Sequence, residues 1–133
     1  MTVGINVSLQ NRQADSWGGD LDLGFIDIYD GTQPADPDDP PAGTLLVSCA
    51  LTADAYAAAV AGVASKNGTI TGTAVANGTA DYAQMRNAGN TRWMYAPCSL
   101  TPGAGVVSLD NLTIAINDVV SINTSTITQP ATN

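Results

Sequence analysis

The chain has 133 residues, 44 % of them apolar, and sets twelve aspartates against four cations (Arg12, Lys66, Arg86, Arg92), for a net charge of −8. It contains neither histidine nor glutamate. That removes Ser-His-Asp and Cys-His triads and histidine-based zinc sites, and leaves only aspartate pairs for glycoside hydrolysis. The acidic balance argues against nucleic acid, which is gripped by Lys and Arg, and against anionic membrane surfaces.

The length fits one domain, 1–133. Phe25 is the only phenylalanine, and Ala, Val, Ile, Leu and Thr supply most of the apolar content. Small and β-branched residues suit thin, tightly packed sheets better than a large ligand cavity.

In chain order, residues 5–17 place Ile5, Leu9, Ala14 and Trp17 at roughly helical spacing, with Asn6, Ser8 or Asp15 as a cap. A short helix or ordered arm is expected over 1–20, broken at Gly18-Gly19-Asp20. Residues 1–17 lack a basic stretch followed by an apolar one, so no signal peptide is read and synthesis in a cytoplasm is expected. Residues 21–29 alternate with period two and read as a half-buried strand ending at Asp30-Gly31. Residues 32–43 hold Pro34, Pro37, Pro40 and Pro41 with Asp36, Asp38 and Asp39, an extended surface loop.

Residues 43–51 form a nearly continuous apolar run, a strand with both faces open to burial. The alanine-rich stretch 54–64 leaves helix and extended chain both open, with Asp54 as an N-cap for the first. Its apolar part, 55–64, is too short to span a bilayer. Asn67-Gly68 and Asn77-Gly78 are type I′ hairpin signals flanking a threonine-rich strand. Residues 79–86 continue as a strand with Ala80, Tyr82 and Gln84 on one face, 87–90 turn, and 91–99 pair back with Trp93, Tyr95 and Cys98 near the core. A loop at 102–105 precedes a final pair, 106–116 and 118–127, joined near Asn117-Asp118, and 129–133 is a polar tail.

The sum is an all-β, single-domain antiparallel sandwich or flattened barrel of about seven to eight strands over 21–128, with a short N-terminal helix or arm.

No residue set announces chemistry: no catalytic, cofactor-binding or metal-ligating residue is assigned, and no cofactor is expected. The acidic segment 30–39 lacks the spacing and the closing glutamate of a calcium loop and reads as a solvated surface loop. Trp17, Trp93 and Tyr95 suit either a sugar-stacking platform or packing at core and interface. Cys49 and Cys98 read as buried thiols or, should the protein leave the cell, as a disulfide. Five Asn-x-Ser/Thr triplets, at Asn6, Asn67, Asn77, Asn111 and Asn123, read as by-products of Asn- and Thr-rich turns.

Several segments taken together carry a resemblance: IDIYDGTQPA at 26–35, GTLLVSCALT at 43–52, ITGTAVANGTADYAQMR at 70–86 and VSLDNLTIAINDVVSINTSTIT at 107–128. This succession resembles small virion structural proteins of tailed bacteriophages, of the head-decoration kind, over most of 25–128. LQNRQADSWGG at 9–19 fits their short N-terminal helix. The longer acidic proline insertion and the two cysteines depart from that pattern. The motifs are structural, so no site residues carry over. The resemblance implies a non-enzymatic capsid decoration or cement protein, made in the host cytoplasm and located on the virion. Its partners would be the major capsid protein or other virion proteins, and further copies of itself, a trimer being one form. A tail, neck or fibre-associated subunit and a carbohydrate- or receptor-binding β-module are the alternatives. Residues 1–13 and 129–133 are natural arms for such contacts.

Overall fold

The computed structural model describes residues 4–91, 93–100 and 107–128. The expected loop at 102–105, the tail at 129–133 and the first three residues of the arm lie outside these.

Among the described residues one helix, α1 (Val7–Leu21), precedes ten strands: β1 (Phe25–Asp30), β2 (Thr44–Ala50), β3 (Val63–Ser65), β4 (Ile70–Thr73), β5 (Gly78–Thr79), β6 (Tyr82–Arg86), β7 (Trp93–Leu100), β8 (Val107–Leu109), β9 (Thr113–Ile114) and β10 (Val119–Thr128). The main sheet runs β2-β1-β6-β7-β8-β10-β3, with β4 also on β10, and β5 and β9 form a separate pair. The sheet curls into a half-barrel and brings β4 back against β2, where Val75 N donates to Leu46 O at 2.8 Å. The fold is therefore all-β with one N-terminal helix, as the sequence predicts. One pairing departs from a purely antiparallel sheet: β7 and β8 are parallel over Cys98–Leu100 and Val107–Leu109.

Period-two alternation sends Ile26 and Ile28 of β1 inward, opposite Met85 and Ala83 of β6. They meet Leu46, Val47, Cys49, Ile70, Val107, Leu109, Val120 and Ile122 in one core. β4 comes this close to β2 because Gly72 has no side chain: a Cβ there would lie 2.7 Å from Ser48 O and 2.8 Å from Val47 Cγ2.

Helix α1 is longer than expected and runs through Gly18-Gly19-Asp20. Asn6 caps it, accepting from Leu9 N at 2.9 Å. Its buried face is Gln10, Ala14, Gly18 and Leu21, whereas Leu9 and Trp17 are 40 % and 44 % exposed. The small residues decide this, since Gly18 lets the helix close on Tyr56, where a Cβ would sit 3.2 Å from Tyr56 Cβ. Residues 7–13 are thus part of the body rather than an arm.

The first predicted strand starts four residues late, at Phe25, because the helix continues to Leu21. β2 is not buried on both faces: Thr44, Ser48 and Ala50 are exposed. The alanine-rich stretch is extended, not helical. Ala61 and Gly62 both take positive φ (52° and 80°), and Val60 and Val63 exchange two backbone bonds around them, a tight hairpin. Asp54 accepts from Asn67 Nδ2 at 3.0 Å instead of capping a helix. Of the two Asn-Gly steps only Gly68 has positive φ, at 76°. Gly78 answers a different demand, because a Cβ there would meet Asp30 Oδ2 at 2.5 Å and Leu46 Cδ2 at 2.8 Å. The final pair is not a continuous hairpin: β9 leaves it to join β5, while β10 pairs with β8, β4 and β3.

Candidate functional site

Five of the seven aromatic residues gather on the outer face of β1, β6 and β7. Register places Phe25, Arg86 and Trp93 in one row, Asp27, Gln84 and Tyr95 in the next, and Tyr29, Tyr82 and Pro97 in a third. Alternation points these rows away from the core. Tyr29 and Tyr82 stack with ring centroids 5.3 Å apart, and Tyr95 meets Tyr82 edge-on at 5.8 Å. The Arg86 guanidinium lies 4.2 Å from the Phe25 ring centroid and its Nε donates to Asp27 Oδ2 at 2.6 Å. Ser48 Oγ donates to the other Asp27 oxygen at 2.5 Å. A buried carboxylate thus has both oxygens satisfied, as its 4 % exposure requires.

The acidic proline loop, 31–43, folds onto this face. Trp93 Nε1 donates to Pro37 O at 2.6 Å, and Tyr95 Oη to Asp39 O at 2.7 Å. Tyr82 Oη accepts from Ala42 N at 2.9 Å and donates to Ala42 O. Burial raises the pKa of all four tyrosines. For Tyr95, neighbouring Tyr82 and Asp39 push the same way. The phenols on this face therefore remain neutral donors at ordinary pH.

Of the three aromatics that suit either a sugar platform or packing, Trp17 and Trp93 line one shallow depression of about 260 Å³ with Asp20, Leu21, Met85 and Met94. Tyr95 is not among its walls. It belongs with the loop.

Half of the aspartates hold backbone N–H groups, Asp36 and Asp118 in local turns and the other four, Asp15, Asp22, Asp30 and Asp81, across distant segments. Among the described residues no group of three or more carboxylates and thiols is placed to hold a metal ion. All five sequon asparagines also make side-chain hydrogen bonds: Asn6 caps α1, Asn77 and Asn111 accept from Ile116 N and Thr113 N, and Asn67 and Asn123 donate to Asp54 and Asp110.

Cys49 and Cys98 are both free thiols. β1 and β6 lie between their strands in the sheet, a separation of roughly 14 Å at ~4.8 Å per strand, beyond disulfide reach. Burial, aided by Asp27 at Cys49 and Asp81 at Cys98, pushes each pKa up to about 12. Such thiols are poor nucleophiles.

Comparison with protein families, curated proteins and solved structures finds no match for this chain. The aromatic face was only half visible in sequence. Trp93 and Tyr95, expected near the core, instead face outward because Met94 and Ala96 take the inward positions of β7, and the rows become one site only through the β1-β6-β7 order.

Proposed function

We propose that this chain is a non-catalytic structural protein of a tailed-bacteriophage virion, a decoration or cement protein that binds the head shell in multiple copies. The resemblance of the segments between 26 and 128 supplies the class. One structural observation supports an assembly surface. The backbone joins residues 73–77 to 115–119, with Ala74 N donating to Asp118 O at 2.8 Å and Asn117 N to Ala74 O at 2.9 Å. This brings three exposed aliphatic side chains to one end: Val75 at 61 %, Ile116 at 52 % and Val119 at 73 %. Aliphatic side chains grouped in this way, on a chain of strong net charge, suit contact with another protein. The natural partners are the major capsid protein, other virion proteins and further copies of this chain, with weak single contacts multiplied by valency.

The experiment is to count and locate the protein in purified phage particles that encode it, by cryo-electron microscopy with quantitative mass spectrometry. Hundreds of copies arrayed on the head support the decoration role. A few copies at the tail, neck or a fibre assign it there, and absence from particles rejects the virion reading.

A second reading, a carbohydrate-binding module, has one observation in its favour: Trp17 and Trp93 share a depression that Asp20 also lines. Indole fluorescence across a glycan panel tests it, and a flat response removes it.

A further inference from the structure

An Asn-Gly step carries a reaction of its own. The glycine nitrogen attacks the side-chain amide carbon of the asparagine, and no side chain on the glycine stands in its way. The chain has two such steps, at 67–68 and 77–78, and the fold treats them differently.

At Asn77 the attacking nitrogen is occupied. Gly78 lies in β5 opposite Ile114, and two residues on Ala80 N donates to Leu112 O at 2.8 Å. The same register turns Gly78 N toward Ile114 in the ladder. Asn77 Oδ1 is held by Ile116 N at 2.8 Å. The backbone has no room to swing, since a Cβ on Gly78 would already meet Asp30 Oδ2 at 2.5 Å. Attack there requires β5 to part from β9.

At Asn67 the attacking nitrogen is open. Asn67 and Gly68 are both exposed. Among the described residues Gly68 N has no hydrogen-bond partner, and a Cβ on Gly68 would meet nothing within 4 Å. Gly68 is held through its carbonyl, by Lys66 Nζ at 2.7 Å. Asn67 Nδ2 donates to Asp54 Oδ2 at 3.0 Å. That bond ties the nitrogen that departs, not the one that attacks.

We propose that Asn67-Gly68 is a self-modification site, which the fold leaves open while it closes Asn77-Gly78. Gly68 N gives its proton to solvent hydroxide and bonds to Asn67 Cγ. The Cγ–Nδ2 bond breaks, and Nδ2 takes up a proton from water and leaves as ammonia. A second water then opens the cyclic imide at either carbonyl, leaving aspartate or, with the main chain rerouted through Cγ, isoaspartate. Both products put a carboxylate where a donor faced Asp54, so two like charges replace an amide tie. They stand at a seam where Asn67 N donates to Ala55 O at 2.7 Å and Ala57 N to Ser65 O at 2.8 Å. The ageing protein thus gains one negative charge and loosens this seam. The inference does not depend on the virion reading.

The test incubates the intact chain at mildly alkaline pH and reads each asparagine by electron-transfer fragmentation of its peptides, which separates asparagine, aspartate and isoaspartate. In the folded chain Asn67 is expected to convert roughly tenfold faster than Asn77, the factor set by one backbone bond that Gly78 must give up. In urea the two rates should converge. Acidic species on ion exchange should vanish with Asn67→Ser and persist with Asn77→Ser. Asn67→Asp, which supplies the charge at once, should speed amide exchange at Asn67 and Ala57 several-fold. Equal conversion at the two sites in the folded chain, or conversion of Asn67 only after unfolding, overturns the proposal. Unchanged exchange in Asn67→Asp overturns the loosening of the seam.

Discussion

Asp27 shows what a single buried charge demands. Its carboxylate is 4 % exposed and is answered by Arg86 at 2.6 Å and Ser48 at 2.5 Å. Removing one partner leaves the other buried without compensation, which is costlier than never having had the pair. Arg86 also covers Phe25, so its loss uncovers an aromatic ring as well. Arg86→Ala is expected to destabilise the fold by about 3 kcal/mol, read from urea denaturation, and Asp27→Asn in that background to restore about half, because the neutral amide no longer needs a cation. A cost below about 1 kcal/mol for Arg86→Ala would show that the pair carries no structural weight. The cysteines make a second residue-scale prediction. Each thiol has a folded pKa of about 12 against an ordinary value of 9.0. Between those values the unfolded chain loses the protons and the folded chain keeps them. Stability from this source is therefore complete below about pH 9 and falls as pH rises toward 12, by about 1.4 kcal/mol per pH unit for each thiol. Denaturation midpoints measured from pH 8 to 11 should decline, and Cys49→Ala should make the decline shallower. The raised tyrosines add to the loss above pH 10 in both chains.

At the scale of elements, glycines mark where one piece of structure approaches another. Gly18 and Gly19 are neighbours in α1 but face opposite worlds: a Cβ on Gly18 meets Tyr56 at 3.2 Å, and one on Gly19 meets nothing within 4 Å. Gly19→Ala is therefore expected to stabilise by about 0.5–1 kcal/mol, the ordinary gain from restricting the unfolded chain inside a helix. Gly72→Ala, facing Ser48 O at 2.7 Å, is expected to cost about 1–3 kcal/mol by wedging β4 off β2. Thermal denaturation of the two variants separates these directions. The same elements show what the sequence could and could not tell. Period-two alternation is enough to find β1 and β6, and the Asn87–Asn90 turn follows from its residues, but it does not tell which face of β7 is inward: Trp93 and Tyr95, expected near the core, face outward, and the smaller Ala96 takes the core position. The helical spacing of Leu9 and Trp17 points to the wrong face of α1, since both are exposed and Gln10, Ala14 and Gly18 are buried instead. Packing against Tyr56 instead selects the smallest side chains, and nothing local announces that. Asn77-Gly78 carries the same dipeptide signal as a hairpin turn, but its glycine answers a contact with Asp30, 48 residues earlier in the chain. The order β2-β1-β6-β7-β8-β10 is likewise a property of distant pairings, which local pattern does not encode.

The whole molecule joins a core of small residues to a surface with three features, two of which meet at Trp93. The aromatic face is occupied by the chain's own loop, the two tryptophans share a shallow depression beside the end of α1, and Val75, Ile116 and Val119 stand exposed where 73–77 meets 115–119. Exposed aliphatics lose little when made polar in an isolated fold, because they bury nothing there. They lose much when they form the centre of an assembly contact, since a charge is then desolvated without a partner. Val75→Asp, Ile116→Asp and Val119→Asp should therefore leave the denaturation midpoint of the free protein within about 0.5 kcal/mol of the parent. If the proposed virion role holds, then in particles reconstituted from shells lacking the protein each should lower bound copies at least tenfold, since about 2 kcal/mol lost per contact corresponds to a factor of roughly 30 in affinity. Aspartate at Ser16, exposed on α1 and away from the patch, serves as the control and should bind like the parent. Equal binding by all four variants would show that another surface attaches the protein. Loss confined to the three patch variants, with stability unchanged, would separate a contact surface from a folding defect.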